Sequence, residues 1–407
     1  MDNIRTNSRS ASTAFSDVRE KMLTRVLGHL HTGHLTIQFP SGNVRTFHGS
    51  QSNVTSMVAD MTIHSWTAIS RMMKTNDIGL GESYMDGSWS TNDLSSLLNL
   101  LCANLHALEK VLSDSKLWQM IHKFIHLFNR NSKKGSRRNI SYHYDLGNDF
   151  YELWLDETMT YSSAFRKDGE ADLATAQTEK YRQLAEQLGL KRSDHVLEIG
   201  CGWGGFAEFA IKEYGCHVTG LTLSTEQKQY AEKRLANKGL KDKADFLLQD
   251  YRDMEGQFDH IVSIEMLEAV GQEYWPTYFQ QVNHLLKPGG KIGIQVITID
   301  HDRFDHYSST VDFIQKYIFP GGMLPSHEIM QEQLQSAHLT MEKATPFGLD
   351  YAWTLKKWQD TFMAKLGGVK QIGFDDRFIR MWQFYLAYCE AGFTQKSIDV
   401  YQYIAQK

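Results

Sequence analysis

The sequence predicts an α/β fold with a doubly wound parallel sheet, preceded by a smaller α+β domain. Apolar, strand-like runs alternate with amphipathic helical segments through the second half of the chain. A glycine-rich turn, GCGWGG, leaves the end of the first of those runs and opens a helix. The front of the chain instead reads as a hairpin followed by mixed segments, with no such alternation.

Residues 1–17, rich in Ser, Thr and Asn, read as a flexible tail. In the front domain, 18–112, GHLTIQFPSGNVRTFHGS alternates polar and apolar residues around Pro-Ser-Gly-Asn and predicts a β-hairpin. LSSLLNLLCANLHALEKVL then carries apolar residues at helical spacing. The linker, 113–140, changes composition: Lys116, Lys123, Arg130, Lys133, Lys134, Arg137 and Arg138 stand there without an acidic residue between Lys116 and Ile140. Its first half sets Leu117, Trp118, Ile121, Phe124, Ile125 and Phe128 on one helical face, a combination that suits an anionic bilayer surface or a helix packed on the next domain.

The main domain spans 141–407. In the helix that follows YHYDLGNDFYELWLDETMTYSSAF, Tyr181, Leu184, Ala185 and Leu188 share one face. DHVLEIG reads as a buried strand, CGWGG as the turn, FAEFAIKEYG as a helix and HVTGLTLS as the next strand. Further strands are predicted at ADFLLQ, FDHIVSIEML and GKIGIQVITI, separated by helices such as EQKQYAEKRLA and YWPTYFQQVNHLL.

The 407 residues carry a net charge of −5 and 42% hydrophobic residues, a composition that folds without a global basic field for nucleic acid. Nucleic acid is therefore not an expected partner, because the short run Lys133–Arg138 has no base-stacking module beside it. Cys102, Cys201, Cys216 and Cys389 are scattered, which argues against a zinc ribbon or a disulfide framework and fits the cytoplasm. No apolar run approaches the roughly 18 residues of a spanning helix, and the polar start lacks a signal-peptide core. Contact with a membrane is expected to be peripheral, from its inner face.

Gly200, Gly202 and Gly204 let the main chain approach a ligand beyond the carboxyl end of the strand without Cβ interference. The pattern is not G-x-G-x-x-G with a ribose-binding acid ending the next strand, which closes in LTLSTEQ, so NAD is disfavoured. E-x-G-x-G-x-G instead resembles the S-adenosylmethionine-dependent methyltransferases. GCGWGG, YDLGNDFYELWLD, TYSSAF, LQDYRD, FDHIVSIEMLEAVG and YIFPGGMLPS together resemble the cyclopropane fatty acid and mycolic acid cyclopropane synthases from about Ser141 onward. The front portion resembles the extra amino-terminal domain of the longer bacterial members, whose task by that resemblance is docking on lipid.

The resemblance implies a Rossmann-like class I methyltransferase domain that transfers the S-adenosylmethionine methyl group to the double bond of an unsaturated phospholipid acyl chain. It implies cofactor contacts from Tyr161, Ser162, Leu197, Glu198, Ile199, Gly200, Cys201, Gly202, Trp203, Gly204 and Gly205. Thr222, Leu223, Ser224 and Gln227 follow, and Asp250 and Tyr251 complete the set on the adenine side. It also implies a bicarbonate ion held by Ser163, Glu268, Gln295, Ile297 and Tyr351. Cys389 matches a cysteine often marked as the active site, although the chemistry demands no thiolate and a structural or pocket-lining place is expected.

An isolated alkene is a weak nucleophile, so the methyl must be held close and in line. The resulting carbocation suits aromatic faces, for which Tyr142, Tyr144, Phe150, Tyr151, Tyr317 and Phe319 are candidates, and ring closure needs a base. The best-known members carry Cys at Ser163, His at Gln295 and His at Ala269. Gln accepts and donates hydrogen bonds but does not exchange a proton near neutral pH. The same cation then has a second outlet, a methyl- or methylene-branched chain. Other readings are a methyltransferase acting on a soluble small molecule and a non-catalytic lipid-binding module, and the amphipathic linker leaves room for a homodimer.

Overall fold

The computed structural model describes residues 18–51, 57–108, 146–167, 169 and 172–407. Its contacts divide the chain into two units, one drawn from Met1–Gly135 with Phe374–Gln395 and the other from Ser136–Gly373 with Lys396–Lys407. The tail, the basic linker, Tyr142 and Tyr144 lie outside the described residues. Among the described residues no helix is long and apolar enough to cross a membrane.

In the first unit the predicted hairpin forms as β1 (His34–Gln38) and β2 (Val44–His48), antiparallel and closed by the Gly42 N–H to the Phe39 carbonyl at 2.9 Å. β3 (Val58–Ile63) runs parallel to β1, and the two-residue β4 (Trp89–Ser90) completes a four-stranded sheet in the order β2-β1-β3-β4. The leucine-rich helix forms as Leu94–Ala103, breaks at Asn104 and resumes over 105–108; at the break the Asn104 side chain accepts the backbone N–H groups of His31 and Thr32 at 2.6 and 3.0 Å.

The helix Asp376–Thr394, placed by sequence in the second domain, belongs instead to this first unit. It buries Ile379, Trp382, Phe384, Tyr385 and Leu386. Ser95 Oγ donates to Glu390 Oε2 at 2.6 Å, and Arg380 lies over the Tyr84 ring at 4.3 Å. Long-range packing of this apolar face, invisible in local periodicity, moves the boundary.

The second unit holds β5 (His195–Ile199), β6 (His217–Thr222), β7 (Ala244–Leu248), β8 (Phe258–Ile264), β9 (Leu286–Ile299), β10 (Thr340–Pro346) and β11 (Ile398–Gln406). Their order is β10-β11-β9-β8-β5-β6-β7. β5 to β9 pair in parallel, while β11 is antiparallel to both β9 and β10. All five strands read from the main domain are present; the four inside the sheet keep near-continuous apolar runs because both their faces are covered, whereas β7 is a half-exposed edge strand.

Helices cover both faces. Tyr278, Phe279, Val282 and Leu285, from the helix Trp275–Leu285, pack on one side. Tyr181, Leu184, Ala185 and Leu188 pack on the other, on the helix Leu173–Leu188, which Asp172 caps at its start and left-handed Gly189 ends. The strand order reverses between β5 and β8, so the crevice beyond their carboxyl ends is the ligand position of an open α/β sheet.

β8 is shorter than predicted. FDHIVSIEML stops being strand at Ile264, because Glu265 takes a left-handed φ of 51°. Leu267–Ala269 then form a single 3-10 turn.

Candidate active site

The glycine turn is fixed to the neighbouring strand. The N–H groups of Gly200 and Cys201 both donate to the Leu221 carbonyl on β6, at 3.0 and 2.8 Å. Gly202 has φ 50°, and a Cβ built on it meets no atom within 4 Å, so its main chain faces open space. Left-handed Gly204 is the N-cap of the helix Gly205–Tyr214. Leu197, Glu198 and Ile199 lie at the end of β5, and all three are buried.

Trp203 donates its indole N–H to Asn148 Oδ1 at 2.7 Å. After β6, the Thr222 hydroxyl donates to Gln227 Oε1 at 2.9 Å, Leu223 is 74% exposed, and Ser224 caps the helix Thr225–Asn237 through the Gln227 N–H. Asp250 is bound to the Arg252 guanidinium at 2.7 Å, and this hydrogen bond holds its carboxyl below the usual range. Tyr251 packs edge-on against Tyr278.

Beyond β8 the chain builds an acidic centre that sequence reasoning missed. Glu265 Oε1 accepts the Ser163 backbone N–H at 2.9 Å and the Gln295 side-chain amide at 2.7 Å, while Oε2 accepts the Tyr351 hydroxyl at 2.6 Å. The Gln295 amide is oriented from behind, since Gln402 donates to its Oε1 at 3.1 Å. The Ser163 hydroxyl turns away, to the Ala164 carbonyl. Ile297 and Glu268 bond each other, with the Ile297 N–H donating to Glu268 Oε1 at 2.6 Å. Glu268 Oε2 is enclosed and has no hydrogen-bond partner among the described residues.

Burial raises the Glu265 carboxyl pKa, and Lys180, Tyr351, Ser163 and Gln295 pull it back. Burial, then the charge of Glu265, pushes Glu268 up to about 8. Lys180, fully buried and hydrogen-bonded to Ser162 Oγ, is lowered to about 7 by burial against the attraction of Glu265, Asp156 and Glu198. The centre thus has two carboxyls, one neutral near pH 7 and one facing a buried amine.

Tyr161, expected at the cofactor, stands among aromatic rings, with Tyr151, Trp154 and Trp358 at 5.4, 5.5 and 5.4 Å and Phe319 at 6.4 Å. Trp203 meets Tyr151 at 5.1 Å. Of the aromatic candidates, Phe150, Tyr151 and Phe319 touch this group, and Tyr317 pairs with Phe313. Cys389 is in the first unit, on the helix Asp376–Thr394, and not in the unit that carries the other site residues. Glu265 had one readable signal, an acid three residues before Glu268 inside an apolar run.

A mostly parallel sheet in this order, whose reversal point carries a bare turn, enclosed acids and an aromatic wall, defines a class I S-adenosylmethionine-dependent methyltransferase. The model of the mycolic acid cyclopropane synthetase family matches residues 131–403, and the chain belongs to that family. The tuberculostearic acid methyltransferase of Mycobacterium tuberculosis is 41% identical over 352 residues, 84% of this chain and 82% of that protein. The cyclopropane-fatty-acyl-phospholipid synthase of Escherichia coli is 38% identical over 356 residues, 85% and 87% of the two chains. A mycolic acid cyclopropane synthase complexed with SAH and CTAB superposes with a TM-score of 0.63 at 32% identity, covering 66% of this chain and 98% of that one.

The residues present fit S-adenosylmethionine. The open side of Gly202 leaves main chain for a ligand to lie against, and the buried Glu198 Oε2 has no partner among the described residues. They do not fit bicarbonate. Ser163, Gln295 and Tyr351 donate to Glu265, and Ile297 donates to Glu268, so those donors are engaged by the protein's own carboxyls. A further anion would add negative charge beside the Glu265 carboxylate.

Proposed function

We propose that this protein methylates the double bond of an unsaturated acyl chain carried on a phospholipid. Bound S-adenosylmethionine supplies an electrophilic methyl group on a sulfonium. The single observation carrying this reading is the neighbourhood of the bare turn after β5, the aromatic group around Tyr161 and the buried acid after β8. The Leu197–Gly205 segment, Tyr161 with Ser162, Thr222–Gln227 and Asp250 with Tyr251 would hold the cofactor. The rings of Tyr151, Trp154, Tyr161 and Trp358 would exclude water and stabilise the cation left on the alkene. A base then removes one proton, and cyclopropane is the product when that proton comes from the new methyl group.

A specific observation favours a second reading. Gln295 is locked between Gln402 and Glu265 and cannot relay a proton, so a hydride shift before proton loss would give a methyl- or methylene-branched chain. The basic, aromatic segment 116–138 supports peripheral docking on an anionic membrane, with the front domain assisting from the cytoplasmic side.

The test is to incubate the protein with labelled S-adenosylmethionine and vesicles of unsaturated phospholipid, then identify the product by mass spectrometry. Label in a ring or branch of the acyl chain supports the reading. Label only in a soluble small molecule, or none transferred to any lipid, overturns it.

A further inference from the structure

We propose that the Glu265 carboxylate is a built-in replacement for an exogenous anion, and is the proton acceptor of the methylation. The inference rests on the function proposed above and deepens it. Its first support is convergence: three donors from separate segments, Ser163 N–H, Gln295 Nε2 and Tyr351 Oη, meet on one carboxyl group. Three donors on one carboxyl group favour its ionised form, the form a proton acceptor needs.

Its second support is the backbone. Glu265 adopts φ 51°, a region that disfavours every residue with a Cβ relative to glycine. Glycine would fill that turn without strain, so the glutamate is retained there for its side chain. Its N–H is also tied to the Gln295 carbonyl at 2.8 Å, which fixes the origin of the side chain on the sheet.

The third support is capacity. A carboxylate oxygen accepts about two hydrogen bonds. Oε1 already has two donors, Ser163 and Gln295, whereas Oε2 has Tyr351 and keeps one position. The neighbouring acid is less suited, since Glu268 is neutral near pH 7.

The alkene π pair forms the new C–C bond while the methyl–sulfur bond breaks with its pair remaining on sulfur, and the adjacent carbon is left positive. A C–H bond of the new methyl group, or of the chain after a hydride shift, then breaks. Its pair closes the ring or the new double bond, and the proton goes to Glu265 Oε2. S-adenosylhomocysteine and the phospholipid, its chain cation now discharged, leave, and the proton returns to solvent.

The test begins with the unaltered protein in carbon-dioxide-free buffer. Turnover of unsaturated phospholipid vesicles is expected to be unchanged by removing or restoring bicarbonate, and 13C-bicarbonate is expected to show no bound signal by NMR. Glu265→Gln is expected to lose at least about 100-fold in kcat while still binding S-adenosylhomocysteine in calorimetry. Glu265→Gly empties the slot, so bicarbonate, formate and acetate should restore turnover in the order of their basicity, and bound 13C-bicarbonate should become visible.

Bicarbonate dependence of the unaltered protein would overturn the proposal, as would undiminished turnover by Glu265→Gln. Because the first arm needs no variant, a folding defect in either variant leaves the proposal decidable. Absence of all lipid methylation by the unaltered protein would instead refute the proposed function, a distinct result.

Discussion

The Tyr351 hydroxyl donates to Glu265 Oε2 at 2.6 Å, joining the helix Gly348–Ala364 to the end of β8. This bond favours the ionised carboxyl, so it lowers a pKa that burial raises. Tyr351→Phe removes it and the Glu265 pKa rises further. A base must be ionised to accept a proton, and activity is lost as pH falls through its pKa. The acid limb of the kcat–pH profile is therefore expected to move to higher pH, with kcat near neutrality down about tenfold, the kinetic equivalent of about 1.4 kcal/mol. A profile that stays in place would remove Tyr351 from the proton-accepting group.

Lys180 acts on the same carboxyl from the other side. Its ammonium is the first of the influences lowering the Glu265 and Glu198 pKa values against burial. Lys180→Met keeps most of the volume and deletes the charge, so the acid limb again moves to higher pH. The double variant with Tyr351→Phe is expected to move it further than either alone. A shift in the opposite direction would mean that another base sets the profile.

Much of this arrangement was legible in sequence, and the reasons differ by element. β5, β6, β8 and β9 announced themselves because both faces are covered, the edge strand β7 by its short apolar run, and the bare turn followed from the ligand position at the end of β5. β10 is largely exposed, and Ile398–Gln406 mixes Asp, Gln and Tyr with apolar residues, so neither showed a clean period. One of those residues, Gln402, is fully buried because it bonds Gln295 and the Lys180 carbonyl, a reason that exists only in three dimensions. Glu265 was hidden for a related reason. Its position in SIEML reads as strand until the backbone turns at φ 51°, and its partners are 30, 86 and 102 residues away.

Glu268 gives a stability prediction with a definite sign. Its folded pKa, about 8, lies above the ordinary 4.5 because burial and then Glu265 oppose its charge. The folded state therefore holds a proton that the unfolded chain releases, and this acid's contribution to stability declines as pH rises from about 4.5 to about 8. Glu268→Gln stays neutral throughout. Whatever constant cost the amide brings, the variant should gain on the unaltered protein between pH 5.5 and 8.5, by on the order of 1–3 kcal/mol. Denaturant titrations at the two pH values check it, and parallel curves would mean that Glu268 does not titrate in this window.

Two glycines of one turn separate cofactor binding from packing. A Cβ at Gly202 meets nothing within 4 Å, whereas a Cβ at Gly205 lies 2.6 Å from the Tyr181 hydroxyl, itself bonded to Thr160 Oγ1 at 2.7 Å. Gly202→Ala bears only the left-handed backbone cost, roughly 1 kcal/mol, and leaves the fold otherwise untouched. If the cofactor lies flush against that turn, the added methyl stands where the ligand must be, and affinity for S-adenosylhomocysteine should fall at least about tenfold, or 1.4 kcal/mol. Gly205→Ala should do the reverse. It forces Tyr181 out of a buried bond and costs about 1–3 kcal/mol of stability, with smaller loss of affinity per molecule that remains folded. Calorimetric binding and thermal unfolding on both variants resolve the two effects. Equal affinity in Gly202→Ala and the unaltered protein would place the cofactor elsewhere, because no neighbour in the fold could have absorbed the new methyl on the ligand's behalf.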